Sequence, residues 1–315
     1  MNADFNIILN QVITFGILML VGVIASKTKV IEEESLGYFA KFIVKIILPC
    51  LIYAVVAGSG LTLDDILISW RFFVTVSILF FILPIVGFLI GKIFKLRDKS
   101  FYVFIALATF GNMGFIGIPL INEVYKDGYV GVSITVYTLV DMSLLWTFGV
   151  FLCSKHLNNN SIKNSIKNMI NPTTIALVIA LALLVLKIKI PSIIANTVYG
   201  IGGTSKYLTM IYLGAALSFI DHKGIVRRYH IIALSITKMI IIPVLLYILF
   251  KDFLPSSQIG ILTIVSGLPT MTTIVMLAKT YGSDDKLATE TIFFTTIFSL
   301  FSIPLVSLII NFIGG

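Results

Sequence analysis

Ten stretches of this chain, each about twenty residues long, are apolar without alternation, and a chain written this way has few folds open to it. They lie at about 6–26, 35–57, 66–91, 101–126, 129–153, 171–188, 192–219, 231–250, 256–281 and 286–312. Roughly 20 apolar residues carry a helix across a bilayer, whereas a membrane β-barrel is written in segments of roughly 10 that alternate apolar and polar. Soluble domains are about 25% charged, and this chain is 12% charged and 58% hydrophobic. The expected fold class is therefore an all-α polytopic membrane protein with ten transmembrane helices. The opening Met1-Asn2-Ala3-Asp4 has no basic region before the first run, which is expected to be a span and not a signal peptide.

The charge pattern orients these spans. The net charge of +8 resides mostly in short loops, where basic residues set topology, so no nucleic-acid partner is expected. With the N-terminus outside, fourteen lysines and arginines fall in cytoplasmic loops and five in the opposite ones. The positive-inside rule then places both termini outside the cytoplasm, in a multi-pass protein of the cell membrane. The longest polar stretch, Ser154 to Asn168, reads as a cytoplasmic linker (154–170) between halves at 1–153 and 171–315. Five spans on each side of it would make the halves opposite in orientation, an inverted repeat.

Two spans are interrupted where lipid should forbid it. Ala108 to Leu120 reads ATFGNMGFIGIPL, and Ser266-Gly267-Leu268-Pro269-Thr270 breaks the ninth run at the matching place. Opened backbone in hydrocarbon costs several kcal/mol per unpaired group, so it survives only against protein or water. Glycine and proline also kink membrane helices with no further role; the pairing of the breaks, and their similar exits at Tyr125-Lys126-Asp127-Gly128 and Tyr281-Gly282-Ser283-Asp284, argue for a shared midplane site. Pro119 and Pro269 are each expected to start a half-helix, because proline suits the first helical position. Such N-termini favour anions. Gly111, Asn112, Met113 and Pro119, with Pro269, Thr270, Thr272 and Thr273, are the candidate substrate-binding residues, Asn112 and the threonines supplying polar groups for a carboxylate.

Intramembrane charges add a second layer. Lys41, Lys238 and Glu290 sit near span ends, where long stems reach the interface, and Lys45, Asp141 and Lys206 lie deeper. Asp141 is expected either to pair with Lys206 or Lys45, or to carry a proton or a coupling cation such as sodium while a lysine draws in the anion. Gly200 to Gly203 is expected to loosen the seventh span beside Lys206. The three histidines, His156, His222 and His230, form no HExxH pattern, and Cys50 and Cys153 form no cluster, so no metal site and no cofactor is expected. Neither a GxSxG elbow nor a complete nucleotide-binding loop is present, which argues against an enzyme or an ATP-driven pump.

The motif GNMGFIGIPL at Gly111–Leu120, with Leu48-Pro49, Asn171-Pro172, the Pro269 break and the closing TIFFTTIFSLFSIPL at Thr291–Leu305, resembles the auxin efflux carrier family of plant carriers and bacterial permeases. The resemblance covers essentially the whole chain, which lacks the long hydrophilic loop of many plant members. It implies two inverted five-helix repeats, crossing fourth and ninth helices with Asn112, Pro119 and Pro269 at substrate-site positions, and a homodimer. For a bacterial-type member it implies carriage of small organic anions such as malate-type dicarboxylates by alternating access. Where plant carriers have an asparagine in the second crossover, this chain has Thr270 to Thr273. A membrane sensor holding a lipid or metabolite in the same cavity is the alternative.

Overall fold

A computed structural model describes residues 2–57, 67–156, 172–186, 188, 190–219 and 228–314, and these are all-helical apart from turns and one isolated bridge. The linker beyond residue 156 and Asn171 lie outside the described residues. In chain order the helices are α1 (Asn2–Lys27), α2 (Leu36–Phe42), α3 (Leu48–Ala57), α4 (Trp70–Ile93), α5 (Asp98–Thr109), α6 (Ile118–Val124), α7 (Tyr129–Leu144) and α8 (Val150–Ser154). They continue as α9 (Pro172–Val185), α10 (Ser192–Gly203), α11 (Ser205–Ser218), α12 (Tyr229–Ile236), α13 (Ile242–Phe250), α14 (Ser256–Ser266), α15 (Thr273–Thr280) and α16 (Asp285–Gly314).

Among the described residues, six continuous helical stretches are long and apolar enough to span a bilayer: Phe5–Lys27, Glu33–Ala54, Trp70–Ile93, Tyr129–Ser154, Tyr229–Phe250 and Asp285–Ile313. The others are shorter or interrupted, among them Met113–Val124 and Ser256–Ser266. Several continuous stretches contain a turn wider than the α-helix, at Ile43–Ile47, Leu145–Gly149 and Thr237–Ile241, and another at Met113–Gly117 leads into α6. Three of these four precede a proline by the same offset: Pro49, Pro119 and Pro243 each stand two residues past the turn. Proline has no N–H to give and its ring collides with the carbonyl four residues back, so widening the preceding turn relieves both. The carbonyl freed by Pro119, that of Phe115, lies 3.4 Å from the Thr209 hydroxyl, whose proton goes to the Ser205 carbonyl at 2.6 Å.

Packing between the halves is reciprocal. The first helix, α1, lies along α11, and α9, the first described helix after the linker, lies along α3. In the same way α4 packs on α5 and α13 on α14, while α16 meets α5 and α7 meets α14. Close approach of α1 and α11 depends on Gly22 and Gly214: a Cβ at Gly214 would strike the Met19 carbonyl, and one at Gly22 the Ile211 carbonyl. Gly214→Ala is expected to cost about 1–3 kcal/mol through overpacking, seen as a lower melting temperature of purified protein in detergent. The starts of α5, α12 and α16 are tied together at one end, where Ser100 donates to Asp284 at 2.6 Å and Arg228 meets Glu290 at 2.6 Å. Glu290 is thus a buried, ion-paired carboxylate and not the interface-reaching group its place near a span end suggested.

Candidate functional site

The two breaks meet. After α5 ends, Gly111 lies opposite Thr270 in a single antiparallel bridge. The Asn112 N–H donates to the Pro269 carbonyl at 2.8 Å, and the Met271 N–H to the Phe110 carbonyl at 3.1 Å. Behind them the Thr270 N–H donates to Thr295 Oγ1 at 3.2 Å. Each opened strand therefore satisfies the other, which answers the cost of bare amides inside a membrane.

The prolines do not sit where the first-position rule put them. On the first strand the helix restarts at Met113, with Asn112 as its cap accepting from the Phe115 N–H at 3.3 Å, so Pro119 lies well inside the second half. On the second strand the helix restarts at Thr273, and Pro269 belongs to the extended piece before it. The reason is the wide turn at Met113–Gly117, which lets helical backbone begin ahead of the proline. The first positive helix end consequently lies nearer the crossing than Pro119 would have placed it, and the second lies three residues beyond Thr270.

A cavity of about 500 Å³ opens beside the crossing, within the range of small-molecule sites. Of the expected site residues, Asn112, Met113, Thr272, Thr273, Lys45 and Asp141 line it. Gly111, Thr270 and Pro269 form the buried backbone of the breaks, Pro119 is buried in the helix after the first, and none of the four lines it. Leu48, Ile52, Phe115, Ile118, Trp146 and Tyr212 make most of its wall apolar. Among the described residues, Asn112 Nδ2 is buried and has no hydrogen-bond partner. Asp141 is fully buried and neither carboxylate oxygen has one.

The charges pair differently from the expectation. Lys206 does not join Asp141; its Nζ is 2.7 Å from Glu123 Oε1, bridging α11 to α6 away from the cavity lining. Glu123 reads in sequence as a flanking polar residue, and only the packing of α6 brings it to Lys206. Lys238, expected to extend to the interface, is 1% exposed. Its ammonium donates to the Leu107 carbonyl at 3.2 Å and the Phe110 carbonyl at 2.9 Å, at the negative end of α5. It is also the cation whose field acts on Asp141. Its sequence signal was a lysine within an apolar run five residues before Pro243, on the wide turn that reorients it.

Residues 7–307 match the family described as "Membrane transport protein". The chain belongs to the auxin efflux carrier family. As a member of it, the protein is a multi-pass membrane transporter. An uncharacterized transporter of Methanocaldococcus jannaschii is 26% identical over 298 residues, spanning 92% of this chain and 94% of that protein. This auxin efflux carrier family member thus carries its crossing strands, its cavity and the buried Lys238 inside the region the family match covers.

Proposed function

We propose that the protein is a secondary carrier of small organic anions, malate-type dicarboxylates among them, working by alternating access. The observation that carries this reading is the crossing itself: an unpartnered Asn112 amide, two helix starts and the threonines at 272 and 273 converge on one cavity wall with Lys45 beside them. Those groups are donors or positive dipole ends, the complement of a carboxylate. The apolar wall suits the hydrocarbon part of the substrate.

Ten crossings in two inverted repeats, residues 1–153 and 171–315, account for the reciprocal packing of α1 on α11 and α9 on α3. With both termini outside the cytoplasm, the large cavity runs from the crossing toward the cytoplasmic ends of its spans, through Ala40, Leu217 and Thr289. A smaller cavity of about 120 Å³, with Ile8, Tyr125, Ser256, Gly267 and Asn311 in its wall, lies toward the opposite ends. The crossing between them is the barrier, and the Lys206 to Glu123 bridge holds the outer side closed. A homodimer in the plasma membrane completes the proposal.

Purified protein in proteoliposomes is expected to take up labelled malate saturably. A hydrogen bond to a charged group contributes about 1.5–3 kcal/mol, so Asn112→Ala should lower kcat/KM about 10- to 100-fold. Unchanged uptake in that variant would remove the proposed site; ligand binding without counterflow would favour the sensor.

A further inference from the structure

Asp141 is the group that an anion cavity should not contain. Its carboxylate is completely buried in the wall, its two oxygens have no hydrogen-bond partner, and Thr138, one turn earlier on the same face of α7, has an unpartnered hydroxyl as well. An ionised carboxylate left this way is costly in itself and repels an incoming anion.

The charges around it decide what relieves that cost. Lys238, on the wide turn before α13, is near enough for its charge to act on Asp141, and Lys45 shares the cavity from the wide turn before α3. Tyr137 precedes it by one turn on α7, Tyr212 lines the cavity from α11, and α3 carries Cys50 and Tyr53. The helices α4 and α14, which also pack on α7, bury apolar, hydroxyl and amide side chains and no ionisable group. The two ammonium groups set against this carboxylate are thus Lys45, in the cavity, and Lys238, outside its lining on the Leu107 and Phe110 carbonyls. A dicarboxylate brings two further negative charges, which the two ammonium groups match only if Asp141 is neutral.

We propose that Asp141 takes up a proton as the dicarboxylate binds and gives it up on the other side, so that anion and proton move together. The proposal rests on the carrier reading above. The proton adds to a carboxylate oxygen from the compartment that supplies the anion, and no bond in the substrate changes. A metal cation is a poorer occupant because it needs a shell of oxygens. Two carbonyls beside the break, those of Leu107 and Phe110, already accept from the Lys238 ammonium, and Phe110 also from the Met271 N–H.

The test uses the full chain in proteoliposomes with labelled malate and an internal pH dye. In wild type, an acid-outside gradient should raise initial uptake several-fold over equal pH, and malate addition should acidify the lumen. The ratio of uptake with and without the gradient should fall to one in Asp141→Asn, whatever the absolute rate, and should recover in Asp141→Glu. Malate counterflow at equal pH with no gradient effect and no lumen acidification in wild type overturns the proton proposal while leaving the carrier intact. Drive by a sodium gradient in place of the proton gradient, or a gradient ratio retained by Asp141→Asn, overturns it also. Absence of counterflow altogether removes the carrier reading, and the proton proposal with it. The wild-type arms stand even if the asparagine variant does not fold.

Discussion

Replacing Lys238 with methionine is expected to destabilise the purified protein by about 3–5 kcal/mol and to abolish malate uptake. Methionine fills much the same volume, so the loss falls on charge and hydrogen bonding. The Lys238 ammonium bonds the Leu107 and Phe110 carbonyls, 3.2 and 2.9 Å away, and is the positive charge acting on Asp141. Removing one member of a buried charged set leaves the other uncompensated, which is the costly case. The end of α5 loses its counterion as well, and with it the fixed position of Phe110, whose carbonyl also receives the Met271 N–H. Melting in detergent and proteoliposome uptake are the measurements. The double variant Lys238→Met with Asp141→Asn should melt above the single one, because the orphaned carboxylate is gone. Wild-type melting in Lys238→Met would show that the ammonium does not hold the crossing.

How much of this was legible in the sequence differs by residue. The breaks were legible because their signals are local: glycines, an asparagine and a proline interrupt apolar runs whose length only a membrane explains. That the strands at Gly111 and Thr270 meet followed from the matched positions of the breaks in the two halves. The first helix start was misplaced by the proline rule, because the wide turn at Met113–Gly117 is a response of the backbone to Pro119 and carries no residue signature of its own. Lys238 and Lys206 were misread for another reason. Distance from a span end can be counted along a sequence, but the face a lysine presents, and what packs there, is decided by helices far away in the chain. Lys238 meets carbonyls more than a hundred residues earlier, and Lys206 a carboxylate 83 residues earlier. Asp141 stood out as an intramembrane charge; that Lys206 is unavailable to it did not, since Lys206 is taken by Glu123.

Gly111→Val is expected to remove uptake, whereas Gly117→Ala should be far milder, although both glycines face Leu268. A Cβ at Gly111 would stand 3.0 Å from Leu268 Cβ, an atom fixed to its own backbone, so no rotamer change makes room. A Cβ at Gly117 would meet Met113 Sδ at 2.6 Å and Leu268 Cδ1 at 2.8 Å, both far ends of side chains that can turn away. Backbone strain does not enter, because neither glycine has a positive φ. At Gly111 the strands themselves must part, which lengthens the Asn112 to Pro269 and Met271 to Phe110 hydrogen bonds. Each buried group left unsatisfied costs about 1–3 kcal/mol, and Asn112 leaves the cavity wall with its strand. Uptake and detergent melting of the two variants, measured side by side, separate this account from a general intolerance of bulk at the crossing. Equal loss in both would mean that Leu268 cannot turn, and uptake preserved in Gly111→Val would mean that the bridge between the two strands is not what positions the site.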